Sequence, residues 1–479
     1  MSIPQKGRSK EEIMKILRQY KKDDVDWRSG KVFAYVFMAN EETEDVVKEA
    51  YMEFLTENGL DPTSFPSLAR IEKEVVRGVI DLLRGGEEAV GNITSGGTES
   101  ILLAIKTARD RAALEKPHIK TPEMVVSQSA HSSFHKAAQY FGLKLVMTEF
   151  DDNFRADVDL MRKAITDNTI ILVTSAPSYA QGVMDPIPEI GQLALEHDLL
   201  LHVDACMGGI MLSFMRDMEG YDVPDFDFAV PGVTSISADL HKFGYAAKGA
   251  SVIAYRDKEI RKHQIFATTA TSAYAMFNTT MLSSKTGGSM AGAWAALNFL
   301  GQDGYREVTD NVMKGVRRMM EGINSIDGLY VLGEPVMSIF SFASKDKDIN
   351  VFQLANYMAR RGWYLQPQFS SKKNPLNLHI TLMNHNVPRI EEFLKDLAEC
   401  VEEVKAAEDK IDSQAVHEQV KNMLAAFGDE AAEKFMEMAG IGGGDSNVDD
   451  LGLVSSILDA LPHEISRELL VEFVNNLFV

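Results

Sequence analysis

The stretch SISADLHKFGYAAKGASVIAYR, residues 235–256, decides how the chain is read. Two apolar runs, VTSISAD (233–239) and ASVIAYR (250–256), enclose a turn that carries His241, Lys242 and Lys248. Each run has the composition of a strand, and a side chain just past the end of one stands where the carboxyl ends of parallel strands form a ligand crevice. A lysine there is an ordinary solvated side chain. If it is desolvated, or set near other cations, it is instead a nitrogen of lowered basicity able to form a Schiff base.

Upstream, short apolar runs alternate with stretches of helical period. Strands are expected at 123–128, 144–150, 169–176 and 199–205, in addition to the two above. A helix is expected to begin near Thr98, with Ile101, Leu102, Ile105 and Ala108 on one face, and another to span IPEIGQLALEHD (187–198). This alternation predicts a doubly wound α/β domain with a mostly parallel sheet. The reading divides the chain into an N-terminal helical and loop segment (1–60), a large α/β domain (61–300), a smaller α+β domain (301–408) and an acidic helical extension (409–479).

Two further motifs lie in the large domain. In TSGGTES (94–100), Gly96, Gly97 and Thr98 open a helix. That is either an ordinary glycine turn with a hydroxyl cap, or a cradle whose free amides and helix dipole hold a phosphate. HVDACMGG (202–209) ends a strand with Asp204, which either caps the next turn or presents a carboxylate to a protonated heterocyclic nitrogen. Taken together and in this order, an anion cradle, a strand-end aspartate and a strand-end lysine are what pyridoxal 5′-phosphate requires.

The 479 residues carry a formal charge of −21, which argues against nucleic acid or an anionic membrane surface as the main partner. Two cysteines, Cys206 and Cys400, stand far apart without metal-ligand spacing, and there is neither a signal-peptide core nor an apolar run long enough to span a bilayer. A soluble, cytoplasmic protein that binds a small-molecule amine is expected.

The motifs TSGGTESILLA, SQSAHSSFHKAAQYFG, GVMDPIPEIG, HVDACMGGI, GVTSISADLHKFGYAAKG and GGSMAGAWAAL resemble those of the fold-type I pyridoxal-phosphate enzymes called group II decarboxylases. Within that group they look most like the sphingosine-1-phosphate lyases. The likeness is dense over residues 58–310 and thins beyond. It implies a fold-type I large domain with a seven-stranded sheet and a homodimer with shared sites. It also implies that Lys242 is the Schiff-base lysine, that Asp204 is the partner of the pyridinium nitrogen, and that Gly97 and Thr98 hold the cofactor phosphate. His131 would stack on the ring, His241 would approach the cofactor phosphate, and Lys248 would bind a substrate phosphate. His202, one strand period from Asp204, supports it or merely packs.

Other positions depart from the lyase pattern. Asp61 in NGLDPTSFP replaces a histidine, Lys285 in SSKTGG replaces an arginine, and Gln181 replaces another histidine. Tyr35 lies in a stretch only loosely comparable, and TTATSAYAMFNTTMLSSKTGG (268–288) is the candidate for crossing to a partner subunit. Three functions follow. The first is retro-aldol cleavage of the Cα–Cβ bond of a β-hydroxy amine, phosphorylated or not. The second is amino-acid decarboxylation, with Lys285 or Lys248 binding an acidic group. The third is a catalytically idle scaffold, which the joint presence of Thr98, His131, Asp204 and Lys242 opposes. The motif set is not that of the aminotransferases.

Overall fold

A computed structural model describes residues 3–270, 275–427 and 451–477. Before the sheet come α1 (Lys10–Tyr20), α2 (Glu41–Glu53) and α3 (Pro66–Leu82). Ser9 opens α1 with a reciprocal capping box to Glu12, which satisfies amides that the first turn leaves free. The large domain then alternates β1 (Val90–Thr94), α4 (Gly97–Glu115), β2 (Glu123–Ser127), α5 (Ser133–Phe141), β3 (Lys144–Thr148), α6 (Val158–Ala164) and β4 (Thr169–Ser175). It continues through α7 (Ile187–Glu196), β5 (Leu200–Asp204), α8 (Gly208–Met215), β6 (Ser235–Asp239) and β7 (Ser251–Tyr255).

These strands form one seven-stranded sheet in the order β1-β7-β6-β5-β4-β2-β3. The neighbours from β6 through β3 pair in parallel, and β7 runs antiparallel to both β1 and β6. β2, β4, β5, β6 and β7 are buried throughout, as strands covered on both faces must be. The four residues expected on the inner face of α4 are buried, and so are Leu103 and Ala104, because the helix is covered nearly all round. Burial of each such leucine or isoleucine contributes about 1.5–3 kcal/mol.

The six strands expected from the sequence are β2 to β7, and β1 is the one the sequence reading lacked. VGNIT offers two large apolar residues around Gly91 and Asn92, which is too little for a strand on composition alone. Its pairing with β7 supplies the order that propensity does not. After the short helix α9 (Lys258–Arg261) and a hairpin of β8 (Phe266–Thr268) and β9 (Met276–Asn278), the helix α10 (Gly287–Ser325) runs on past position 300 and kinks at Gly301, where φ is 57°.

The smaller sheet, in the order β10-β11-β13-β12, is antiparallel and comprises β10 (Leu329–Val331), β11 (Ile339–Ser344), β12 (Gln366–Gln368) and β13 (Asn377–Thr381). The helices α11 (Val351–Arg360) and α12 (Ile390–Ala406) accompany it. β12 has no counterpart in the sequence reading, because QPQ holds no strand signal. The extension holds helices Ser413–Phe427, Leu451–Ala460 and His463–Leu477, which share a small apolar cluster around Val420, Ile457 and Leu469. Most of the methionine-rich segment 420–440, and GIGGGDSN at 440–447, lie outside the described residues.

Candidate active site

The carboxyl ends of the parallel strands open into one cavity of about 330 Å³. The end of β1 leads into Ser95, Gly96 and Gly97, β2 leads to His131, and β4 leads to Ser175, Pro177 and Tyr179. β5 ends at Asp204 with Cys206 beyond it, and β6 ends at Asp239, followed by His241 and Lys242. The structure therefore brings Gly97, Thr98, His131, Asp204, His241 and Lys242 to a single wall.

The first turn of α4 points its unpaired amides into this cavity, the usual setting for a bound anion. Gly97 makes the approach possible: a Cβ there would lie 2.7 Å from Cys206 Sγ and 2.8 Å from Asp239 Oδ2. Thr98 Oγ1 and Ser133 Oγ are 2.9 Å apart. His131 Nδ1 accepts from the Ser133 amide at 3.2 Å, which places the ring proton on Nε2 and ties the histidine turn to the cradle. His241 Nδ1 likewise accepts from the Gly249 and Ala250 amides, at 3.2 Å each, so that Nε2–H faces Asp239 at 3.5 Å.

Asp204 Oδ1 accepts from the Cys206 amide at 3.1 Å and from Ser237 Oγ at 3.3 Å. His202 is fully buried and lies against Ser235 Oγ at 2.9 Å and Ser237 Oγ at 3.3 Å, so it braces Asp204 through Ser237. Burial lowers the His202 pKa to about 4, against the opposing pull of Asp204, so the ring is neutral near pH 7.

Lys242 corrects one expectation. Burial is the largest single influence and favours the neutral amine, but Asp239, whose Oδ2 lies 2.9 Å from Nζ, together with the other negative groups of the site outweighs it and raises the lysine above its ordinary value. Burial likewise pushes Asp239 up, and the Lys242 charge together with His241 and Ser251 overcomes it, leaving the carboxyl well below its usual range. The lysine of lowered basicity is Lys248. Desolvation and the Lys242 charge bring it down to about 8 while Asp239 pulls the other way.

Lys248 itself lies outside the cavity lining. The residue as a whole is exposed, but its Nζ stands 4.6 Å over the Phe37 ring and donates to the His241 carbonyl at 3.3 Å, which takes that end out of bulk water. Lys285 is 2.5 Å from Glu72, whose other oxygen accepts from the Ile93 amide at 3.1 Å, so in this chain it is an anchored cation rather than a free one. Asp61 is exposed and accepts from the Thr63 amide at 2.8 Å within its own turn. Gln181 is buried and donates to Asn374 Oδ1 at 3.0 Å. The Tyr35 hydroxyl is 3.0 Å from that of Tyr364.

Sequence reasoning missed three residues at the site. Asp239 closes β6 within the very stretch that gave Lys242, and strand alternation puts it on the face of Ser235 and Ser237. Tyr179, past the end of β4, obeys the same strand-end rule. Its hydroxyl donates to Gln366 at 2.7 Å, and its ring stacks on His379 at 4.3 Å. Glu99, in the cradle itself, accepts from the Ser95 amide at 2.6 Å and from the Met281 amide at 2.7 Å, joining the cradle to the segment before α10.

These residues fit pyridoxal 5′-phosphate. The cradle suits a phosphate, Asp204 keeps an oxygen free of described partners for a ring nitrogen, and Lys242 supplies the amine. Asp239 is a buried carboxylate with no directed hydrogen bond on either oxygen. A mostly parallel seven-stranded sheet with these groups at its carboxyl edge defines a fold-type I pyridoxal-phosphate enzyme.

Comparison with known proteins agrees. The profile of the pyridoxal-dependent decarboxylase conserved domain matches residues 1–345, and that of a C-terminal HTH domain of pyridoxal-dependent enzymes matches 403–476. The sphingosine-1-phosphate lyase of Arabidopsis thaliana is 42% identical over 84% of this chain and 74% of its own. An L-aspartate decarboxylase of Thermococcus kodakarensis is 34% identical over 83% of this chain and 98% of its own. The solved structure of a Burkholderia pseudomallei sphingosine-1-phosphate lyase superposes with a TM-score of 0.80 at 34% identity, covering 88% of this chain and 97% of that one. The chain belongs to the pyridoxal-dependent decarboxylase family and is a pyridoxal-phosphate-dependent lyase similar to the sphingosine-1-phosphate lyases. No described helix is long and apolar enough to cross a membrane.

Proposed function

We propose that the protein cleaves the Cα–Cβ bond of a phosphorylated β-hydroxy amine, the substrate class named by its lyase relatives, to give an aldehyde and a phosphorylated amine. The observation that carries this reading is the convergence of Lys242, Asp204, His131 and the 94–98 cradle on one cavity; outside its lining, Lys248 is held against the carbonyl of His241, which is on the wall. When bound, pyridoxal phosphate supplies the electron sink that accepts the pair released from the broken bond.

The chain's own residues carry the rest. Gly97 and Thr98 would hold the cofactor phosphate beside His241, His131 would lie against the ring, and Asp204 would hold a proton on the ring nitrogen. Lys242 is the covalent anchor. Lys248 would bind the substrate phosphate; the β-hydroxyl O–H bond breaks with its proton passing to solvent as the C=O forms, and the carbon left behind takes a proton from solvent to give the new C–H bond.

The second reading, α-decarboxylation, draws on the likeness to the L-aspartate decarboxylase. The Lys285–Glu72 pair weighs against it, since one of the two cations that would take an acidic group already holds a carboxylate, which leaves only Lys248 for that role. Incubation with phosphorylated β-hydroxy amines and with amino acids, with aldehyde and CO₂ measured in parallel, tests the choice. Aldehyde without CO₂ is expected, and CO₂ release from an amino acid would overturn the lyase reading.

We also read the protein as a cytoplasmic homodimer with shared sites, in which the division at 60, 300 and 408 separates functional parts. Phe266, Phe277 and Leu282 around the β8–β9 hairpin are more than half exposed, as a segment that reaches a partner's site would be in a lone chain. Sedimentation of an active sample as a monomer would refute the shared site. The charge of the extension argues against nucleic acid as its partner, since residues 409–479 carry 14 carboxylates against 4 lysines and arginines.

A further inference from the structure

Two carboxylates stand at the ends of neighbouring strands, and they are satisfied differently. Asp204 accepts directed hydrogen bonds from Cys206 N and Ser237 Oγ. Asp239 is 2% exposed and has none. What it faces is charge and polarity: Lys242 Nζ at 2.9 Å and His241 Nε2 at 3.5 Å. A buried carboxylate without hydrogen bonds persists as an anion only where a cation is held against it.

The backbone fixes that pairing. Asp239 closes β6, the His241 amide donates to the Ala250 carbonyl at 3.0 Å, and the Tyr245 amide donates to the Lys242 carbonyl at 2.9 Å, so the turn cannot swing the lysine away. Gly97 closes the cup directly over the carboxylate.

We propose that Asp239 is a positioning residue that sets the protonation state of Lys242, holding it as an ammonium aimed into the cavity whenever its nitrogen is not engaged. The inference rests on the reading of Lys242 as the reactive amine and deepens it. An ammonium has no free electron pair. The nitrogen becomes a nucleophile when one N–H bond breaks and the proton passes to Asp239 Oδ2 or to solvent, and on release the nitrogen takes a proton back.

The other groups around the lysine do not replace Asp239. Asp204 acts in the same direction but more weakly, and Cys206 is kept as the neutral thiol by burial. Lys248 opposes, and of these two mutually repelling lysines it is the one whose pKa falls. Tyr179 is held neutral by burial, while His131 and Glu99 are already engaged with Ser133 and with the Ser95 and Met281 amides.

The test is trace labelling of the cofactor-free protein with acetic anhydride across a pH series, with the extent at Lys242 read by peptide mass spectrometry. In the wild type the Lys242 midpoint should lie above that of ordinary lysines, which is about 10.4. Asp239→Asn should move it down by more than one pH unit, and Asp239→Glu should restore it. An unchanged midpoint in Asp239→Asn overturns the proposal. If that variant fails to fold, a wild-type midpoint at or below the ordinary value does the same. Neither cofactor nor substrate is present, so this outcome is independent of whether the lyase assay yields aldehyde.

Discussion

Gly97→Ala is the most exposing single change at the cradle. The added methyl would meet Cys206 Sγ at 2.7 Å and the two Asp239 oxygens at 2.8 and 3.0 Å, all short of the 3.4 Å at which ordinary contact begins. Neither neighbour can yield freely: Cys206 is 6% exposed and Asp239 2%, and Asp239 is paired to Lys242. The strain must therefore push the start of α4 outward or separate Asp239 from the lysine. Overpacking of this kind costs about 1–3 kcal/mol. If that cost falls on the bound state, affinity for pyridoxal phosphate drops about 5- to 150-fold. Equilibrium titration of the cofactor-free protein with pyridoxal phosphate, followed by absorbance, measures this. Gly78→Ala is the matched control, since Gly78 lies inside α3 with nothing within 4 Å of its added carbon, and it should leave affinity unchanged and stabilise by about 1 kcal/mol. If Gly97→Ala folds and binds within twofold of the wild type, the glycine is not what brings the cradle to the phosphate.

Asp204→Asn can keep the Cys206 and Ser237 contacts through its amide oxygen while losing the charge. A facing carboxylate shifts a partner's pKa by about 1–3 units, so turnover should fall about 10- to 1,000-fold with a smaller loss of cofactor affinity; near-wild-type turnover would refute the assignment. Lys248, with its pKa lowered to about 8, is the cation below that pH and neutral above it. On a phosphorylated substrate, kcat/KM should therefore decline as pH rises through about 8, and Lys248→Met should be slow throughout and lack that limb. Asp227 is fully buried and accepts from Arg84 at 2.8 Å and from Arg216 at 2.8 Å, so Asp227→Ala removes the buried partner that two guanidinium groups share, leaving Arg84 with Asp225 and Arg216 with the Leu82 carbonyl. A loss of about 3–5 kcal/mol in urea unfolding is expected, and a loss below about 1 kcal/mol would show the pairs to be dispensable.

The cofactor side was legible in the sequence because it is local. Each of its residues follows a strand end or opens a helix, so Thr98, Asp204 and Lys242 announce themselves by position before any contact is known. Asp239 obeys the same rule and was passed over because the lysine three residues on drew the reading. The basicity of Lys242 was not legible, since it depends on a distance that only the turn between β6 and β7 sets. β1 was missed because its order comes from β7, a partner more than 150 residues away. Lys285 and Asp61 read as changes in the substrate pocket, yet the first is held by Glu72 and the second by its own turn.

The substrate side has no motif because it is assembled between parts of the chain that sequence spacing does not relate. Tyr179, on the cavity wall, is fixed by Gln366 of β12 and by His379 of β13. Gln181, two residues on, is held by Asn374, whose loop is in turn gripped where the Ser370 amide donates to Asp459 at 2.5 Å. Asp459 belongs to the C-terminal helices, its side chain is 1% exposed, and it also accepts from Ser370 Oγ at 2.9 Å. The acidic extension thus braces the loop that holds Gln181, through one carboxylate that accepts from the amide and the hydroxyl of Ser370. Asp459→Ala would leave the Ser370 amide without that partner while touching no group of the cofactor cradle. The expected result is a raised KM with little change in cofactor affinity, and an equal loss of both would mean that the extension serves folding rather than the substrate side.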